Sequence, residues 1–117
     1  MSQEQDIEKL TEQVIGCAYA VHNTLGFGFL ETVYEKSLQV ELLQHGIEAK
    51  AQDPIKVRYR EAIVGDYFAD FLIDNRLIVE LKSVSQLNQA HEVQLVNYLN
   101  ATSIDHGLLI NFGAQQV

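Results

Sequence analysis

Asp70, Glu80 and Lys82 are the residues of this sequence most out of place. Asp70 divides two apolar triplets, Tyr67-Phe68-Ala69 and Phe71-Leu72-Ile73, where a bare carboxylate is costly to bury. Glu80 and Lys82 interrupt Leu77-Ile-Val-Glu-Leu-Lys82 two positions apart, so on a strand both side chains leave one face, together with Ile78. Charges at alternate positions of an apolar strand mark a wet edge face, a simple ion pair, or a site that pairs or metallates them. Two acids and a lysine brought together would hold a hard divalent cation through oxygen and position a water. That is the chemistry of hydrolysis.

Whether Asp70 meets Glu80 is a question of register. Asp74-Asn75 marks the turn between the two strands. A strict two-residue turn there sets Asp70 opposite Val79, on the wrong face. A three-residue loop, or a bulge with Asn75 or Arg76 left-handed, slips the pairing by one and sets Asp70 opposite Glu80. Opposed residues on one sheet face have Cβ atoms roughly 4.5–5.5 Å apart, near enough for two carboxylates to share a cation.

The elements that must carry these residues follow from spacing. Ser2-x-x-Gln5 has the spacing of a capping box. Ile7, Leu10, Val14, Ala18, Val21 and Leu25 then recur at steps of three and four, one apolar face of a helix. Gly26-Phe27-Gly28 ends it. A second helix is expected from about Leu30 to His45, stopped by Gly46, which puts Glu31 in its first turn. Ile55, Val57 and Tyr59 then alternate with Lys56, Arg58 and Arg60 in a strand led by Pro54. A second strand is expected over Ile63 to Ile73 and a third over Leu77 to Val84. After a polar joint at Gln86 to Asn88, a third helix should span Gln89 to Ala101, with Leu95, Val96 and Leu99 inward. Gly107 to Phe112 reads as a short, fully buried strand. The third helix is long enough for a right-handed crossover, so this strand is expected to pair in parallel. The order is ααβββαβ, and the expected fold is α/β: a mixed four-stranded sheet flanked by helices, with residues 1–117 as a single domain.

Composition removes several functions. The 117 residues are 47% apolar and 21% charged, as in a globular protein rather than a disordered one. Sixteen acids against eight Lys and Arg give a charge of −8, which excludes a polyanion binder working through bulk charge. Any nucleic-acid contact must be local or helped by bound cations. Cys17, the single cysteine, cannot form an internal disulfide, a zinc knuckle or a thiolate-held iron–sulfur cluster. The acidic start is unlike a signal or transit peptide, and His22, Asn23 and Thr24 break the longest uncharged stretch, so no membrane span is expected. A reducing cytoplasm is the expected location. No Gly-rich phosphate loop precedes a lysine, and no serine or cysteine has the context of an activated nucleophile.

Asp70…Glu80-x-Lys82 on a hairpin between helices resembles the array of the PD-(D/E)xK nuclease superfamily. Gly28-Phe-Leu-Glu31-Thr-Val-Tyr34 resembles, more closely, the G-x-x-E-x-x-Y signature of the GxxExxY family. The likeness continues through Ala69-Asp70-Phe-Leu, Ile78-Val-Glu80-Leu-Lys82, His91-Glu-Val-Gln94-Leu-Val-Asn-Tyr98-Leu and Leu108-Leu-Ile-Asn-Phe-Gly113. It covers nearly the whole chain from about Ile7, and departs after Gly113, where similar sequences carry a short basic tail. The resemblance implies a restriction-endonuclease-like core and metal-dependent hydrolysis of phosphodiester bonds in nucleic acid, DNA foremost. It also implies Mg²⁺ or Mn²⁺ held by Asp70, Glu80 and Glu31. Lys82 would then orient or help deprotonate the attacking water, or offset charge on the phosphate.

The remaining candidates each have two readings. Glu31 is the third acid, or a carboxylate favoured by a helix N-terminus. Gln94 and Tyr98 lie four apart on one helix face. They resemble the Q-x-x-x-Y pair that braces the metal site and touches substrate backbone in the exonuclease-like branch, or are polar residues at a sheet boundary. His22 binds substrate or packs with one nitrogen satisfied. Tyr34 reads as core with its hydroxyl satisfied, His91 and His106 as surface residues or caps, and Cys17 as a small buried side chain. Lys50, Lys56, Arg58 and Arg60, against Asp53 and Glu61, leave a local surplus of +2. That run is a solvated strand face unless it borders the site, where it would steer a phosphate backbone. Two rivals to a nuclease stand: a binding or assembly module of the same fold, helped by a homodimer or a basic protein partner, and a phosphoesterase for small ligands.

Overall fold

A computed structural model of the chain describes residues 3–113, with side chains from Asp6 onward. Helices α1 (Gln3–Leu25) and α2 (Glu31–Gln44) precede strands β1 (Ala49–Tyr59), β2 (Ala62–Ile73) and β3 (Leu77–Lys82), helix α3 (Gln89–Thr102) and strand β4 (His106–Asn111). The strands form one mixed sheet in the order β1-β2-β3-β4, antiparallel except for the parallel β3/β4 pair. The expected order and the parallel last strand are both observed. The Ser2–Gln5 capping box lies outside the described residues.

Helices cover both faces of the sheet. Ile7, Leu10, Val14, Ala18 and Val21 of α1 and Tyr34, Leu38 and Leu42 of α2 pack with Phe71, Ile73, Leu77, Val79 and Leu81 in the larger core. On the other face, Leu95 and Tyr98 of α3 pack with Ile55, Ala69 and Ile78. Gly26 and Gly28 end α1 with φ of 74° and 106°, and Gly46 follows α2 with φ 69°. These are left-handed values that glycine adopts without a Cβ clash. Tyr34 is fully buried and stacks on Phe112 with ring centroids 4.6 Å apart. Its hydroxyl donates to Gly26 O and accepts from Phe29 N–H, so the buried phenol ties down the loop ahead of α2. His91 joins Asn88 in a capping box at the start of α3.

Four expectations need correction. β1 begins at Ala49, and Pro54 lies inside it, paired with Phe68. β1 is a sheet edge, where a residue lacking an N–H is tolerated. Val96 is 52% exposed, and Tyr98 takes the buried place beside Leu95. Positions 95, 98 and 99 share a helix face, whereas position 96 is about 100° round from 95. β4 is buried only at its far end, because it forms the other edge of the sheet. β3 stops at Lys82 rather than Val84, because the chain leaves the ladder to meet a side chain. Asn111 accepts from Val84 N–H at 3.1 Å and donates to Val84 O at 2.9 Å, while Phe112 N–H donates to Lys82 O.

This clamp leaves no room at Gly113, where an added Cβ would lie 2.2 Å from Val84 O and 2.3 Å from Val84 N. Gly113→Ala is expected to cost about 1–3 kcal/mol through the forced backbone shift. Urea denaturation measures it, and an unchanged midpoint would show that the two segments are not held this tightly.

Candidate functional site

The β2–β3 connection fixes the register. Ile73 pairs with Leu77, Leu72 with Ile78 and Phe71 with Val79, around a three-residue loop. Within the loop Asp74 and Asn75 are left-handed, with φ of 52° and 58°, and Arg76 N–H donates to Ile73 O at 2.9 Å. The two-residue alternative does not occur. One step beyond Phe71↔Val79, Asp70 and Glu80 therefore oppose each other.

Here the ladder stops and side chains take it over. Asp70 N–H donates to Glu80 Oε1 at 3.1 Å, and Leu81 N–H donates to Asp70 Oδ2 at 2.7 Å. Each acid thus accepts a backbone amide from the opposite strand. Residues two or four apart on a strand share a face. Yet Ala51 and Phe71 belong to the α1/α2 core, while Ile55 and Ala69 belong to the α3 cluster. Both strands turn over between them, at Asp70 in β2 and at Gln52, with φ 54°, in β1. Asp70 sits at this turn-over, and Glu80 meets it from β3, which alternates regularly and buries Glu80.

Neighbouring elements supply the rest. Gln52 Nε2 donates to Asp70 Oδ1 at 3.4 Å and to the Glu35 carboxylate, linking β1, β2 and α2. Spacing missed both residues. Glu35, four positions after Glu31 on a helix, carried a readable signal, whereas Gln52 shows its place only once β1 extends back to Ala49. Glu31 is the first residue of α2, after an N-cap, Leu30, that makes no side-chain capping bond. Ser83 Oγ donates to Phe29 O at 3.0 Å and so ties the loop before Glu31 to the strand end carrying Lys82. On the α3 side, Gln94 Nε2 donates to Tyr98 Oη at 3.0 Å, so the expected one-face pair forms. His22 is buried beside Phe112, with ring centroids 6.3 Å apart, in the layer of α1.

Electrostatics link these groups into one site. Burial, then the Asp70 carboxylate, push Glu80 from 4.5 up to about 8, and Lys82 opposes this only in part. Glu31 is raised by burial first and by Asp70 next, with Lys82 again opposing. The Tyr98 phenol is raised by burial and then by Glu80. Asp70 and Lys82 thus act on both Glu80 and Glu31, and Glu80 and Asp70 act on Tyr98.

In chemistry the three carboxylates suit a hard divalent cation, since each offers oxygen ligands, although their ligand atoms do not all lie within 4.8 Å of one another. Among the described residues, the set of metal-type ligands lying within 4.8 Å of one another is a different one, Cys17, Glu41 and His45. There His45 Nδ1 is 2.9 Å from Glu41 O, and burial, with Glu41, keeps the Cys17 thiol protonated. The Asp70 group is looser and shares no residue with it.

A mixed sheet between helices, with an Asp, a Glu and a Lys gathered where its central hairpin splays, defines a restriction-endonuclease-like α/β protein. The family model described as the PD-(D/E)XK nuclease superfamily matches residues 8–117, and the chain belongs to that superfamily. Comparison with curated proteins and with solved structures finds no match. Nucleases of the superfamily typically use divalent metal ions. No helix among the described residues is long and apolar enough to cross a membrane.

The raised Glu80 makes a stability prediction with a definite sign. Folded protein keeps a proton on Glu80 that the unfolded chain releases, so stability falls as pH rises from about 4.5 to about 8. Glu80→Gln mimics the protonated acid and keeps an acceptor for Asp70 N–H. In chelator, its melting temperature is expected to rise above that of the unsubstituted protein, by a margin that grows across this window. A margin independent of pH would show that Glu80 is not held protonated.

Proposed function

We propose that this chain is a metal-dependent nuclease of the GxxExxY type that hydrolyses phosphodiester bonds in DNA. The observation that carries the reading is the reciprocal Asp70–Glu80 exchange, with Glu80 starved of positive charge and Lys82 beside it. Each signature residue has a physical reason to be there. Gly28 turns the chain at φ 106°, Glu31 opens α2, and Tyr34 anchors the loop between them. Asp70, Glu80 and Glu31 would hold Mg²⁺ or Mn²⁺. Such an ion lowers the pKa of a bound water and polarises the phosphoryl group.

The chain's own residues do the rest. Lys82 orients the attacking water and offsets the negative charge that builds on the phosphate. Gln94 and Tyr98 brace the acids from the α3 side and meet the substrate backbone. His22, buried beside Phe112 in the layer of α1, is the weakest of the three substrate-binding candidates. The 117 residues act as one domain in a reducing cytoplasm, with the single cysteine buried. A second copy or a basic partner would widen the grip on DNA.

Titration calorimetry should show Mn²⁺ binding that Asp70→Ala abolishes. Asp70→Asn, which keeps an acceptor for Leu81 N–H, should abolish it too. Binding retained in both variants would remove this site. With Mg²⁺ or Mn²⁺, the protein should cut plasmid or oligonucleotide DNA, and Lys82→Ala should lower the rate at least about 100-fold. Equal cutting by both proteins would trace the activity to a contaminant. Metal binding without cleavage of any polymer would favour the binding module, and cleavage of small phosphate esters alone the phosphoesterase.

A further inference from the structure

Beside the acid site, between the outer half of the β1–β2 hairpin and α3, runs a cleft of about 1090 Å³. Lys56 and Arg58 line it, and no carboxylate does among the described residues, in a chain of net charge −8. Lys56 is ion-paired with Asp66, which leaves Arg58 as the main cation of the wall. On an acidic chain, a wall with two cations and, among the described residues, no lining carboxylate is a place where a polyanion meets little repulsion. Gln94 and Tyr98 line the cleft, and Tyr98 packs in one cluster with Ala69, the residue before Asp70, and Ile78, two residues before Glu80. The cleft therefore runs past the strand positions next to the acids.

Its other walls favour bases over a bare phosphate backbone. Tyr67 is 47% exposed, with its ring 5.6 Å from that of Tyr98 and tilted by 44°. Gln89, Asn97 and Asn100 present exposed amides from α3 along the same cleft. An aromatic platform serves a nucleic acid where base faces are free, whereas amides can meet phosphates, groove edges or, in an unpaired strand, the pairing edges. In a duplex the faces are stacked and the pairing edges are taken. A single strand offers both.

We propose that this cleft binds a single-stranded polynucleotide and leads it to Asp70 and Glu80. Arg58 and Lys56 take phosphates, Tyr67 stacks a base, and the α3 amides meet base edges. The assignment rests on the nuclease reading for its orientation, but binding can be measured without catalysis. In chelator, fluorescence anisotropy with labelled oligo(dT) of about 12 nucleotides should show binding at least about tenfold tighter than for a duplex of the same length. Tyr67→Ala should weaken single-strand binding at least about fivefold, while Tyr67→Phe retains it. Arg58→Ala should reduce the slope of log K against log salt by about 0.7. Arg58 is exposed, so that variant decides the matter even where Tyr67→Ala fails to fold.

Duplex binding as tight as single-strand binding, no binding of either, or unchanged behaviour of both the Tyr67→Ala and Arg58→Ala proteins would overturn the proposal. Single-strand binding without cleavage under any metal would remove the nuclease reading and leave the cleft assignment standing. Cleavage that is indifferent to Tyr67 and Arg58 would do the reverse.

Discussion

Two backbone amides that a regular hairpin would give to its ladder go instead to carboxylates: Asp70 N–H to Glu80, and Leu81 N–H to Asp70. A hydrogen bond to each of these carboxyl groups offsets part of what burying it costs. Because the exchange is reciprocal, each acid also satisfies the strand that carries the other. Removing one leaves an amide in the sheet without its acceptor. The acids are therefore structural members of the fold. The cost is visible in Glu80, which burial and Asp70 hold far above an ordinary carboxylate.

The rest of the fold keeps that exchange in place. β3 carries Glu80 and Lys82, and it is paired on both sides, with β2 and with β4. Beyond Lys82 the Asn111 side chain grips Val84, and Gly113 allows the close approach. The loop before α2 is held from below by Tyr34 and from the side by Ser83, so Glu31 is presented from an anchored helix start. The capping box of α3 fixes the first turn of the helix that brings Gln94 and Tyr98 alongside. Rigid elements on three sides meet at a place where the sheet itself is broken, which is what positioning of reactive groups demands.

Charge is distributed in the same way. On this acidic chain the acids of the site and the basic residues of the β1–β2 hairpin lie in different places. Asp70 lies where β2 turns over, with Glu80 opposite it, while the cleft between the hairpin and α3 is lined by Lys56, Arg58, two tyrosines, amides and apolar side chains. Tyr98 stands at the boundary between the two.

Much of this was legible in the chain. Apolar residues at steps of three and four marked α1, and the left-handed glycines after α1 and α2 marked their ends. Asp70 and Glu80 stood out as charges in apolar strands, and the family signature covered the same residues. The choice between two hairpin registers stayed open, because it turns on the conformation of Asp74 and Asn75 rather than on their identity. Val96 and Tyr98 exchanged places because periodicity defines a helix face but not which part of it meets the sheet. Gln52 and the turn-over of β1 and β2 were invisible, since a strand's alternation says nothing about where it reverses. Local spacing determined which elements form and which residues are too polar to be core. Only the tertiary structure decided which of those residues meet, because register and facing depend on loop conformation and on contacts between segments distant in the chain.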